Sequence, residues 1–180
     1  AVSRGAAAVV ANSALIKKVP FAHELVVYAA VASSFVVQLL GYLVALAFIA
    51  LNGTALHWSA LPVVLLGLAA LGLLATGLAL LLSAVHVFVR DLEQGLAHAL
   101  ALLFYLSPIL YSASMVPGWV RDLMLLNPVA VLLEAMRAAL LQGQAVPGQP
   151  VLWAVVFCIV AFFLGRLVFQ RLSPHFEEAL

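Results

Sequence analysis

Apolar residues fill this chain in long unbroken runs, and the polar positions collect between them. Between Glu24 and Arg90, 65 consecutive residues carry no Asp, Glu, Lys or Arg. A transmembrane helix needs roughly 20 apolar residues. This run is therefore too long for one crossing and suits two with a turn between them. Residues 94–120 and 138–165 are also free of charge.

The pattern resolves into elements. Residues 1–13 are small and apolar, as at the end of a preceding span. Asn12 or Ser13 is placed to cap a short helix over Ala14–Val19, which Pro20 ends. Residues 25–51 predict one span, and Asn52-Gly53-Thr54 a tight turn. His57 and Trp58 suit an interfacial layer, where amphipathic rings are favoured. A second span runs over 61–85, with glycines at 67, 72 and 77 that permit close helix approach. His86 to Glu93 is a short polar connection, and 95–111 a third span broken near its end by Ser107-Pro108. The last span covers 151–170.

Composition agrees. Only 8% of the 180 residues are charged and 67% are hydrophobic, with a mean hydropathy of +1.22. A soluble domain carries about 25% charged residues. The expected fold class is all-α: a polytopic helical membrane protein with about four full spans, the end of a preceding one, and re-entrant outer helices. The lone cysteine, Cys158, lies in an apolar run, forms no intrachain disulfide and is expected to pack as a small hydrophobe. The chain starts at Ala1 without an initiator Met and partway through a helix-like pattern. It therefore reads as a piece of a longer protein whose N-terminal part is missing.

Charge placement sets the expected orientation. With four crossings, Arg4, Lys17, Lys18, Arg90, Arg166 and Arg171 fall on one side and only Arg121 and Arg137 on the other. Basic residues in short loops mark the cytoplasm. The majority side, with the C-terminus, is therefore assigned inside. The apolar segment Leu123–Leu141 resembles a fifth span, yet a fifth crossing would carry Arg166 and Arg171 outside. It also contains Pro128, Glu134 and Arg137. Two helical pieces that dip in from the outer face and return fit better, in surroundings of protein or water rather than lipid.

Glu134 and Arg137, three apart, are able to pair on one helical face. Charges at membrane depth are functional candidates, and an interfacial helix with a wet polar face is the alternative. Asn127-Pro128 reads as an N-cap and a first-turn proline. Lys17 and Lys18 serve either as positive-inside anchors or, on their proline-stopped helix, as a docking element for a cytoplasmic partner. Phe104, Tyr105, Tyr111 and Trp119 form either an aromatic belt or a path along which flat sugar surfaces stack. The metal-binding His-Glu-x-x-His pair, the Gly-x-Ser-x-Gly elbow and Cys/His ligand spacing are absent. The five histidines, His23, His57, His86, His98 and His175, are scattered. Neither lysine follows a glycine, so no P-loop exists in this sequence and any ATP dependence would come from another polypeptide.

The string Asn12-Ser13-Ala14-Leu15-Ile16-Lys17-Lys18-Val19-Pro20-Phe21 resembles the first cytoplasmic connector of ABC-transporter permeases that export polysaccharides. The resemblance continues at Val87–Asp91, Leu103–Ile109, Met115-Val116-Pro117, Leu125–Pro128, Glu134–Ala138 and Phe169–Phe176, in order and at similar spacing. It implies a six-span permease domain that covers the whole chain and is incomplete at its N-terminal end. The domain would work as a homodimer with two ATPase subunits and export a lipid-linked polysaccharide or related glycoconjugate across the bacterial cytoplasmic membrane. The connector is then the coupling helix, which assigns ATPase coupling to Asn12, Leu15, Lys17, Lys18, Pro20, Phe21, Glu24, Arg90 and Asp91. The translocation path and outer helices would involve Tyr105, Tyr111, Trp119, Glu134 and Arg137. Cofactors are expected in the partner only, as ATP and Mg, and no nucleic acid is implied. Ala22-His23 stands where the family commonly has Pro-Arg, and His86 where Asn is common. Two other readings are a related permease for a drug or lipid and an intramembrane enzyme using Glu134, His98 or Ser107. The enzyme is disfavoured because no nucleophile–base pair occurs at plausible spacing.

Overall fold

The computed structural model describes residues 1–13, 23–54, 56–89, 91–107, 125–144 and 148–176, with Tyr105 and Leu106 by backbone only. Every regular element among them is helical. We label the α-helices α1 (Val2–Ala11), α2 (Glu24–Leu51), α3 (Leu61–His86), α4 (Leu92–Leu106), α5 (Pro128–Gln142) and α6 (Gly148–Leu172). Single 3₁₀ turns at Trp58–Ala60 and Ser173–His175 precede α3 and follow α6.

The ends of these helices follow from local chemistry. Glu24 opens α2, where a carboxylate meets the positive end of the helix dipole. At the other end Asn52 donates from Nδ2 to the Phe48 carbonyl at 2.7 Å, and Gly53 turns the chain with φ of 79°. Only glycine adopts that left-handed geometry without steric cost. Asn127 caps α5, its side chain accepting from the Val129 N–H at 3.0 Å, with Pro128 in the first turn. Gly143 closes α5 in the left-handed region.

Among the described residues, three helices are long and apolar enough to cross a membrane: Glu24–Leu51, Trp58–His86 and Gly148–His175. They coincide with the spans expected at 25–51, 61–85 and 151–170. The span expected at 95–111 is described only as far as residue 107. Its described helix, α4, has 15 residues, or about 22 Å at 1.5 Å per residue. That is short of a hydrocarbon core about 30 Å thick. α4 ends two residues before Pro108, and the rest of that span lies outside the described residues. α5 also has 15 residues and agrees with the non-spanning reading of Leu123–Leu141. The short helix expected over Ala14–Val19 lies outside the described residues.

The chain divides into two compact units. The first comprises residues 1–41, 72–99 and 160–180. Its core joins Val9 of α1, Val27 and Val31 of α2, Ala79, Leu80 and Ala84 of α3, and Phe169 and Phe176 from the last span and its exit. Two backbone approaches set this packing. A Cβ added at Gly5 would lie 2.5 Å from the Ala79 Cβ, and one at Gly77 would lie 2.5 Å from the Phe162 Cα. A Cβ at Gly165 would collide with the Gly77 carbonyl oxygen. The second unit comprises residues 42–71 and 100–159. There Ala60 and Val64 pack on Met136, Ala139 and Leu140 of α5. The His57 N–H donates to the Leu140 carbonyl at 2.9 Å, and Gly67 leaves room for the Met136 side chain.

Candidate functional site

The most connected polar side chain in the first unit is Glu24. It lies three residues past the Asn12–Phe21 connector string and begins α2. Tyr28, one turn on, donates from its hydroxyl to Glu24 Oε2 at 3.2 Å. Gln170 donates from Nε2 to Oε1 at 2.9 Å. Arg166 brings Nε to 3.5 Å from Oε2. Arg166 and Gln170 are four apart, so α6 presents both on one face. The Glu24 side chain is only 18% exposed, against 46% for Arg166. A carboxylate at an apolar boundary needs such partners, because leaving it unpaired there is costly.

An aromatic cluster gathers in the same unit. Phe176, just past the terminal 3₁₀ turn, is fully buried. Its ring meets Phe169 edge-on at 5.3 Å between centroids, His23 at 6.1 Å and Phe88 at 6.3 Å. Edge-on and tilted ring pairs at these separations are favourable beyond the area they bury. His23 precedes Glu24, and Phe88 lies two residues before Arg90. A residue just past the first expected connector and one within the second therefore converge on Phe176.

The assigned coupling residues are placed only in part. Asn12 closes α1, donating from Nδ2 to the Ala8 carbonyl at 2.8 Å. Asp91 is exposed at the start of α4, its carbonyl accepting from the Gly95 N–H at 3.5 Å. Leu15, Lys17, Lys18, Pro20, Phe21 and Arg90 lie outside the described residues. Of the path residues, Tyr105 is described by its α4 backbone alone, and Tyr111 and Trp119 lie outside.

Glu134 and Arg137 stand together on α5, Oε2 to Nη1 at 3.5 Å, with side chains 37% and 32% exposed. Glu134 Oε2 is itself buried and makes no hydrogen bond within the described structure. Arg137 has a further interaction besides this pair. In the same unit Ser107, 1% exposed, accepts from Asn127 Nδ2 at 3.1 Å and donates to the Leu103 carbonyl at 2.9 Å. The tip of α4 is thus tied to the cap of α5, and the hydroxyl once considered as an enzymatic group is occupied.

The histidines are separate. His86 is buried with Nδ1 3.2 Å from the Ala6 carbonyl, and His98 sits with Nδ1 2.7 Å from the Gln94 carbonyl one turn back on α4. Among the described residues no three His, Cys, Asp or Glu side chains gather to hold a metal ion. Sequence reading passed over Tyr28, Arg166, Gln170 and Phe176 as site residues. The signal was there in part: Arg166 and Gln170 are polar residues at helical spacing within an otherwise apolar span.

Long apolar helices beside a short capped one describe a multi-pass helical membrane protein. The profile of the ABC-2 type transporter family matches residues 15–141, and the chain belongs to that family. It is 25% identical over 171 residues to an O-antigen export system permease protein, RfbA, of Klebsiella pneumoniae, covering 95% of this chain and 66% of that protein. A Myxococcus xanthus protein of the same name is 27% identical over 105 residues, 57% of this chain and 40% of its own length. The chain thus spans just under two thirds of the longest-matching of these relatives.

Proposed function

We propose that this chain is the membrane-embedded part of an ATP-driven exporter that moves a lipid-linked polysaccharide or related glycoconjugate out of a bacterial cytoplasm. The observation that carries the reading is the similarity to an O-antigen export permease along 95% of the chain. The given sequence holds no P-loop, which suits ATP binding by a partner subunit. The working unit is two copies of this chain with two ATPase subunits, the C-terminus and the Lys17–Lys18 connector on the cytoplasmic side. Asn12, Leu15, Lys17, Lys18, Pro20, Phe21, Glu24, Arg90 and Asp91 couple to the ATPase. Tyr105, Tyr111, Trp119, Glu134 and Arg137 border the route or its outer exit, where aromatic faces receive sugar rings.

The test is a strain lacking the chromosomal copy, complemented by the full-length protein. Loss of the gene should trap lipid-linked glycan inside, and its return should restore glycan at the surface. Replacing Lys17 and Lys18 with Glu should block export while the protein stays inserted, checked in parallel because basic residues also fix topology. Unchanged surface glycan in the deletion strain would refute the export reading. Normal export by a correctly inserted double variant would refute the docking role.

A further inference from the structure

Residues of the second connector, and those that follow the first, grip the last span and its exit. Glu24, just past the Asn12–Phe21 connector, is bound by Gln170 at 2.9 Å and by Arg166 at 3.5 Å, both on α6. His23, one residue earlier, and Phe88, within the second connector, pack against Phe176 at 6.1 and 6.3 Å. Phe176 in turn sits edge-on to Phe169 of α6 at 5.3 Å. Two chemically different grips, one polar and one aromatic, therefore join the connectors to one end of the last span.

We propose that α6 is the helix driven by the coupling step, with Glu24–Arg166–Gln170 as the clamp and Phe176 as the latch that carry connector movement into it. This rests on the export reading above. The physical case is stiffness. A push on a connector reaches whichever span is bonded to its end, and a fully buried ring in a close-packed cluster transmits displacement instead of absorbing it. Arg166 and Gln170 project from the α6 backbone one turn apart, so a shift of Glu24 acts on the helix and not on a free side chain. In this assignment these groups act through α6. They are positioning residues.

The experiment uses the full-length protein, purified with its ATPase and reconstituted in phospholipid vesicles. Cys158 is replaced by Ser, and a reporter cysteine is placed at Gln149, at the far end of α6, or at Ser59, before α3. Thiol labelling rates are read with and without ATP. ATP should change labelling at Gln149→Cys, and Arg166→Glu should shrink that change roughly fivefold, the low end of a coupling free energy between sites. Copurified ATPase should remain, showing that assembly survives. The exchanged pair Glu24→Arg with Arg166→Glu should restore the response, which an effect of Arg166→Glu unrelated to Glu24 would not do. Phe176→Leu, which keeps the cluster apolar, should reduce the response less than Phe176→Ala. A Gln149→Cys response to ATP that is equal in the original and all these variants would overturn the assignment. So would a wild-type response at Ser59→Cys with none at Gln149→Cys. Failure of ATP to alter either reporter, or of any ATPase to copurify, would refute the export reading itself and this inference with it.

Discussion

Glu134 and Arg137 carry unequal burdens. Glu134 Oε2 is buried without a hydrogen bond, and Arg137 at 3.5 Å is its compensating charge. Arg137, by contrast, has another interaction as well. Removing Arg137 strands a buried acceptor, which costs about 1–3 kcal/mol. Removing Glu134 loses only a half-exposed ion pair worth at most about 1 kcal/mol. Arg137→Ala should therefore lower the thermal unfolding midpoint in detergent more than Glu134→Ala, and the exchanged pair should recover part of the loss. Equal midpoints for both single variants would show the pair to be solvated. The spacing of three made this pair legible in the sequence, as did the Asn127-Pro128 cap. The surroundings of Glu24 were not legible. Its partners Arg166 and Gln170 lie more than 140 residues away, and only packing of α2 on α6 brings them to its carboxylate.

Helix existence was readable because long apolar runs leave no other way to satisfy the backbone in lipid. Helix pairing was readable only halfway. Glycines at 67, 72 and 77 marked α3 as a helix approached closely, and two of them prove to be tight contacts. Gly67 faces Met136 and Gly77 faces the α6 backbone, whereas a Cβ added at Gly72 would meet the Phe35 ring at an ordinary 3.4 Å. Gly5 and Gly165 escaped notice, because their importance depends on the partner surface and not on their own runs. The contrast is testable. Gly165→Ala would press a methyl group into the Gly77 carbonyl, which cannot swing aside as a side chain does. It should force α3 and α6 apart and destabilise by about 1–3 kcal/mol. Gly95→Ala, on α4 with open space around it, should be neutral or stabilise by up to about 1 kcal/mol through helix propensity. Unfolding midpoints of the two variants in one detergent give the comparison. An unchanged Gly165→Ala midpoint would mean that the backbones do not approach so closely.

Orientation of the whole chain rests on six basic residues against two, a rule about loops that no contact within the chain can replace. Gly148 is exposed at the start of α6 with nothing near its would-be Cβ. A cysteine there, in a Cys158→Ser background, should react with an impermeant thiol reagent added outside intact cells. Labelling only after the cytoplasmic face is opened would invert the topology. The lengths of the three long helices have a consequence for the lipid itself. α2, α3 and α6 contain 28, 26 and 25 residues, about 42, 39 and 38 Å at 1.5 Å per residue. The hydrocarbon layer is only about 30 Å deep. Each span must therefore lean, protrude or thicken the surrounding bilayer. Where Gly77 and Gly165 bring the backbones of α3 and α6 into contact, those two helices cannot lean independently. Acyl-chain length is thereby expected to act as a mechanical input to this protein: a thinner membrane should tilt both helices at that contact, and a thicker one let them stand upright.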